Sequence, residues 1–302
     1  MRKIVTAIAF MALMGEAAAQ PPTTAPLSPR EPETIYTEAS RDKDRSIAGE
    51  TVRAVIDPVY GVDDQFARWK RPICFNVYGL TPIAKYNVES RMKEVAQEVS
   101  APVDHSDPCQ PNVTIVFTPD RKATLDSIYK VRPELLQDYG FIRNRLKESL
   151  PVQAWYGVSM QVAGGRSQFV YGDEGDGLSQ GPPIIRMSER SRLNTGISTA
   201  LESVVIVADT KAVTGKSLES IADYFAVLAL GQIRETRQCK HVPTIVNLMF
   251  DDCDAGFRAD SATKYDIAML TGLYEVADDK LQTLQRQRIV GAARRAAERL
   301  SQ

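Results

Sequence analysis

The chain has 302 residues, with 37 Lys+Arg against 38 Asp+Glu, a net charge of −1 and 43% hydrophobic residues. A nucleic-acid binder normally carries a basic excess, so this balance disfavours that class. The hydrophobic content is enough for a packed core and excludes a wholly disordered chain.

Arg2 and Lys3 precede an apolar run from Ile4 to Met14, and Ala17-Ala18-Ala19 offers a small-residue cleavage site. This is the pattern of a signal peptide over residues 1–19, too short to span a bilayer as a helix. No cysteine lies in or just after the run, so a lipid-anchored mature N-terminus is not expected. No later segment reads as transmembrane, and the expected location is periplasmic or secreted. Residues 20–50 differ in kind. Pro21, Pro22, Pro26 and Pro29 sit among Thr, Ser and charged groups, followed by the mixed-charge run Arg41 to Arg45. That composition predicts a disordered linker.

Residues 51–302 are long enough for a single domain. Ile73 to Tyr78 reads as a strand, and Thr81-Pro82 as a cap and first helical residue opening a helix to about Ser100. On that helix Ile83, Tyr86, Val88, Met92, Val95 and Val99 trace an apolar stripe. Val113 to Phe117 is a short β-branched strand, and helical pieces follow around 123–131 and 141–150. Ala154 to Val162 and the apolar Ser203 to Ala208 read as further strands, ahead of a helix from Ser217 to Ile233. The C-terminal segment 278–302 is a helix with Leu281, Leu284, Ile289, Ala292, Ala296 and Leu300 on or near one stripe and five arginines mostly elsewhere. Lacking Trp or Phe, that stripe predicts packing on its own domain, or self-association, over insertion in lipid. The expected class is α+β, a mixed sheet covered by helices on one face, with a long C-terminal helix.

Four cysteines, Cys74, Cys109, Cys239 and Cys253, fall into two separated pairs. An exported protein with an even number suggests disulfides; four cysteines allow three pairings, of which the local one is simplest. Zinc binding is disfavoured because C-x-x-C spacing is missing and His105 and His241 are the chain's only histidines.

Three blocks carry a family resemblance. The helix Ser217–Ile233 contains Tyr224-Phe225-Ala226-Val227-Leu228-Ala229-Leu230-Gly231 where H-E-x-x-H-x-x-G would stand. Thr244 to Phe250 is similar to a turn carrying a methionine beneath a metal, and Tyr265 to Tyr274 to a closing helix with an aspartate and a Leu-Tyr end. Together, over roughly residues 201–275, they resemble a degenerate zincin-like domain of the metzincin, matrixin-type kind, as in uncharacterised bacterial envelope proteins. The resemblance implies a zincin-like fold in which Tyr224 and Leu228 replace the helical histidines, Phe225 the glutamate and Arg234 the third ligand. Zinc hydrolysis needs two imidazoles one turn apart and a carboxylate base, and none of these four side chains supplies either. Asp223 is the sole carboxylate nearby.

Other constellations are weak. Asp104-His105-Ser106-Asp107 holds the residue types of a triad, but sequence neighbours rarely face one another as a relay. His241 reads as a loop histidine. Asp173, Glu174 and Asp176 in the glycine-rich loop 163–183 lack the calcium-loop pattern, and Gly164-Gly165-Arg166 lacks phosphate-loop spacing. Asp251, Asp252 and Asp254 surround Cys253 as solvated turn residues. The expected function is that of an exported pseudoenzyme without metal or cofactor that binds a protein or peptide. Two alternatives stand beside it. One is a hydrolase with an unrecognised active site near His105 or the acidic loop. The other is a structural protein anchored through its linker or final helix.

Overall fold

The computed structural model describes residues 38–56, 65–136, 151–162, 169–170, 184–185, 196–233, 238–277 and 280–301. Its helices are α1 (Glu38–Val55), α2 (Pro82–Glu98), α3 (Arg121–Val131), α4 (Thr210–Val213), α5 (Leu218–Leu230), α6 (Lys264–Glu275) and α7 (Gln282–Arg299). Its strands are β1 (Arg68–Trp69), β2 (Phe75–Tyr78), β3 (Val113–Thr118), β4 (Val152–Val162), β5 (Phe169–Val170), β6 (Ile184–Ile185) and β7 (Ile197–Asp209). The architecture is α+β.

Strands β2, β3 and β7 lie side by side and parallel, in that order. β4 runs antiparallel along the other edge of β7, with a register shift at Gly157/Val158. Ala200 and Leu201 of β7 pair with β4 on one side, so β1 takes the opposite edge, in line with β3. The sheet is therefore mixed but mostly parallel. The described residues of β5 and β6 form a separate antiparallel pair.

β7 is apolar on both faces because both faces are covered. Val204, Ile206 and Ala208 enter the main core, which takes in residues from α1, α2, α5, α6 and α7. Val205 and Val207 point the other way, into a smaller cluster with Leu125 of α3, Leu136 and Trp155. The expectation of helices on one face thus needs correcting: α3 occupies the second. A strand buried on both sides reads as a continuous apolar run rather than an alternating one.

Helix α2 starts where its cap predicts, with Thr81 accepting from the Ala84 N–H and Pro82 at the first helical position. Val88, Met92, Val95 and Val99 are fully buried, and each contributes roughly 1.5–3 kcal/mol by leaving water. Ile83 and Tyr86 depart from the expected stripe, at 76% and 70% exposed. They sit on the first turns, ahead of the segment that packs on α5.

The predicted linker over 20–50 needs correction from Glu38 onward, where α1 begins, while residues 20–37 lie outside the described residues. Asp44 and Arg45 make tertiary contacts, while Arg41, Asp42, Lys43, Glu50 and Arg53 are exposed. Asp44 is buried and accepts from Lys264 Nζ (2.8 Å), the Tyr265 hydroxyl (2.6 Å) and Ser301 Oγ (2.9 Å). Arg45 pairs with Glu298 at 2.6 Å. Ala48, Val52 and Val55 bury the apolar side. None of these partners is local in sequence, and a mixed-charge run shows them only when α6 and α7 are in place.

Helix α7 packs on α6 and α1 through Ile289, Ala292 and Ala296 of the predicted stripe and through Ala293 beside it, whereas Leu281 and Leu300 of that stripe are 37% and 45% exposed. Gly272 of α6 makes the close approach possible: a Cβ there would lie 2.7 Å from the Ile289 carbonyl oxygen and 3.0 Å from the Ala293 nitrogen. Both are backbone atoms that cannot rotate aside. Gly272→Ala is accordingly expected to destabilise by about 1–3 kcal/mol, read as a lowered melting temperature with unchanged secondary structure.

Candidate functional site

Helix α5 is the centre of the resemblance and of the core. Ser217 caps it by accepting from the Ser220 N–H at 3.0 Å. Every residue from Ser220 to Leu230 is buried. The helix therefore buries its whole circumference rather than one stripe, and only Leu218 at its start is appreciably exposed among its apolar residues, at 39%. A helix surrounded by protein needs apolar residues all round.

The positions that would hold a metal lie in this apolar surround. Tyr224 is 6% exposed and Leu228 3%, while Phe225, fully buried, sets its ring edge-to-face on Phe117 at 5.5 Å. A phenol carbon frame, a phenyl and an isobutyl group do not fit the chemistry of a zinc site, so no step can be derived through such an ion. Arg234 lies outside the described residues. Among the described residues, no three His, Cys, Asp or Glu side chains converge as a metal would require.

Asp223, the one carboxylate on this helix near the motif, is committed elsewhere. Its Oδ1 accepts from Arg91 Nε at 2.7 Å, and its Oδ2 from Arg91 Nη2 at 3.2 Å and the Ala262 N–H at 2.8 Å. The pair joins α2, α5 and the loop before α6. The hydrogen bonds to Asp223 raise the pKa of the guanidinium beyond its already high value.

The C-terminal end of α5 is closed by side-chain donors from three other elements. The Tyr156 hydroxyl donates to the Leu228 carbonyl (3.1 Å), Trp69 Nε1 to Ala229 (2.7 Å) and the Tyr274 hydroxyl to Leu230 (2.8 Å). The last carbonyls of a helix have no partner within it, and a buried end must find them elsewhere. Burial also pushes the Tyr274 phenol well above the usual tyrosine range. Gly231, matched in sequence to a motif glycine, follows with φ −142°, extended backbone that any residue adopts. The motif match at that position has no conformational basis.

Beneath α5 lies the loop from Cys239 to Thr263. Asn247, fully buried, organises it: Oδ1 accepts from the Lys240 N–H at 2.8 Å, and Nδ2 lies 2.8, 3.1 and 2.9 Å from the carbonyls of Lys240, Val242 and Phe257. The disulfide Cys239–Cys253 encloses it, and Cys74–Cys109 closes the second pair, so the structure contains the local pairing. Met249, in the turn compared with a metal-site methionine, is a partly buried side chain packed against the core.

Asp266 ties this loop to α6. It is fully buried and accepts from Thr244 Oγ1 (2.5 Å), the Ile245 N–H (2.9 Å), the Thr263 N–H (2.9 Å) and Thr263 Oγ1 (2.8 Å). Thr263 Oγ1 in turn accepts from the Asp266 N–H, completing a capping box. Desolvation raises its pKa above the usual carboxylate range, against the opposing pull of the four donors. The neutral acid has an outlet, because Thr263 Oγ1 also lies 3.3 Å from the Pro243 carbonyl and can redirect its proton there.

A carboxyl raised in the folded state binds its proton more tightly there than in the unfolded chain. Stability is then lost as pH rises from the unfolded value, about 3.9, through the raised folded value. Asp266→Asn is expected to lower stability at acidic pH through weakened capping, but to remove that downward slope. Urea melts across this range check it, and an unchanged slope in the variant would reject Asp266 as its source.

The remaining motifs do not assemble. Asp104 Oδ1 accepts from the Ser106 N–H (2.9 Å) and Ser106 Oγ (2.6 Å), a local turn that holds Asp104 below its usual pKa, so the Ser106 hydroxyl serves the aspartate rather than His105. His241 sets its ring edge on Phe257 at 5.6 Å. Asp251, Asp252 and Asp254 are exposed around the disulfide. Asp173, Glu174, Asp176 and Gly164-Gly165-Arg166 of the predicted loop 163–183 lie outside the described residues, while Phe169–Val170 within it forms strand β5. Lys70 Nζ hydrogen-bonds Ser198, but Ser198 is 1% exposed and no substrate carbonyl can approach its oxygen.

Sequence reasoning did not single out Arg91, Trp69, Tyr156 or Asn247. Asn247 alone had a local signal, a polar amide inside the apolar run Ile245 to Phe250. No family model, curated protein or solved structure matches this chain.

Proposed function

We propose that the chain is an exported, non-catalytic envelope protein that uses a metal-free zincin-like scaffold for binding or assembly. The observation that carries this reading is α5, buried from Ser220 to Leu230, with Tyr224 and Leu228 in core packing where ligands would stand. Support for the scaffold comes from the order β2, α2, β3, β4, β7 and then α5, a sheet leading into the central helix. Support for export comes from the apolar run Ile4 to Met14 and from two disulfides. Among the described residues no helix is long and apolar enough to cross a membrane.

The test is the zinc content of the oxidised mature protein purified without chelator. A zinc-to-protein ratio near zero is expected. A ratio near one would overturn the reading and return the hydrolase class to first place, with ligands drawn from His105, His241 and distant carboxylates.

A further inference from the structure

Helix α7 concentrates positive charge on a surface that the domain does not use for packing. Its sequence holds five arginines and one acid, Glu298, a net +4 within a chain of net −1. Two of the arginines are engaged: Arg299 pairs with Glu275 at 3.1 Å, and Arg286 stacks over the Phe66 ring at 4.9 Å. Glu298 is taken by Arg45 of α1. Arg288, Arg294 and Arg295 are exposed, and among the described residues no carboxylate stands within ion-pair distance of them. Arg53 of α1, on the helix packed beside α7, is exposed in the same way.

These groups do not converge on a point. Arg288 and Arg295 are two turns apart, about 10 Å along the axis, and Arg294 leans back over Gly49 of α1. A pocket for one small anion would bring its donors together. A spread of fixed cations along a helix about 27 Å long matches a spread of anions instead. The matching surface must also be nearly flat and touch one side only, because the rest of the chain sums to −5 and a polyanion wrapping the domain would meet it. The buried side of α7 is fully used by α1 and α6, so the helix cannot turn over and insert.

We propose that the exposed face of α7, flanked by Arg53, is a peripheral docking surface for the phosphate headgroups of an anionic membrane. It goes beyond the binding-scaffold reading and stands without it, because it uses no residue of α5. Guanidinium groups would lie among headgroup phosphates as fixed positive charges, with no apolar side chain required below them. Attraction of this kind is worth about 1 kcal/mol per cation at the surface, equivalent to about five-fold in partition, and salt screens it.

The full mature chain is sedimented with phosphatidylglycerol–phosphatidylcholine vesicles and, separately, with pure phosphatidylcholine vesicles. Binding to the anionic vesicles at low salt is expected, with release at about 1 M salt and none to the neutral ones. Arg288→Gln, Arg294→Gln and Arg295→Gln together should lower the partition about a hundred-fold, while lysine at all three positions should largely preserve it. Lys122→Gln, Lys130→Gln and Lys211→Gln, an equal loss of charge away from α7, should leave it nearly unchanged. Circular dichroism establishes that each variant is folded; if the glutamine variant is not, the wild-type salt and lipid dependence and the second charge set carry the test. No binding at low salt, equal binding to neutral vesicles, an equal loss in the second set, or retention of polynucleotide in place of vesicles would each overturn the proposal.

Discussion

Arg91→Ala is expected to destabilise the protein by about 3 kcal/mol or somewhat more, although Arg91 lies on an outer helix and its side chain is 31% exposed. The cost comes from its partner. Asp223 has no exposed surface and would keep one hydrogen bond, from the Ala262 N–H, for a charge with no counterion. A buried carboxylate in that state is worth several kcal/mol of unfavourable free energy, or takes up a proton to escape it. Asp223→Asn should cost less, about 1.5–3 kcal/mol, because the amide oxygen can still accept from Ala262 while Arg91 turns to water and to Glu94 at 3.2 Å. The order of the two losses in urea melts is the check. Equal, small losses would mean that the pair behaves as a surface ion pair, worth about 0–1 kcal/mol.

That pair also shows why the sequence was only partly legible. Elements announced by local chemistry were found close to their bounds: α2 by Thr81-Pro82, α7 by its alanine-rich stripe, and β3 by its β-branched run. Features that depend on long-range partners were not. Arg91 and Asp223 are 132 positions apart, and nothing near either residue marks it as half of a buried pair. The same holds for α1, whose charged start reads as linker until Lys264, Tyr265 and Glu298 arrive. Trp69, Tyr156 and Tyr274 come from three elements to cap one helix, and only the folded chain brings them together. For the site itself, the resemblance pointed to Tyr224, Phe225 and Leu228 but not to their burial. The triad-like run at Asp104 failed for the stated local reason: adjacent side chains satisfy one another before they can form a relay.

The largest expected effect falls at the α5 positions that the resemblance aligns with a metal site. If α5 is a packing helix, placing the residues of H-E-x-x-H at Tyr224, Phe225 and Leu228 should damage the fold without creating a site. Phe225→Glu removes a fully buried ring in edge contact with Phe117 and places a carboxyl in the hydrophobic core. Loss of the ring alone is worth about 3–5 kcal/mol, and the buried acid adds to it. The sum approaches the whole stability of a typical domain, about 5–15 kcal/mol, so this variant is expected to be largely unfolded by circular dichroism. Tyr224→His with Leu228→His is milder. Each imidazole is smaller than the group it replaces and polar in an apolar surround, for a combined loss of about 2–5 kcal/mol. The informative measurement is the melting temperature of this double variant with and without zinc. A metal that binds only the folded state must stabilise it by mass action. Two histidines one turn apart would supply half of a tetrahedral site, and the core residues described around them are largely apolar. No zinc-dependent rise is therefore expected. A clear rise would mean that this face opens onto further ligands, and that two side chains rather than the packing of the whole core keep a metal out.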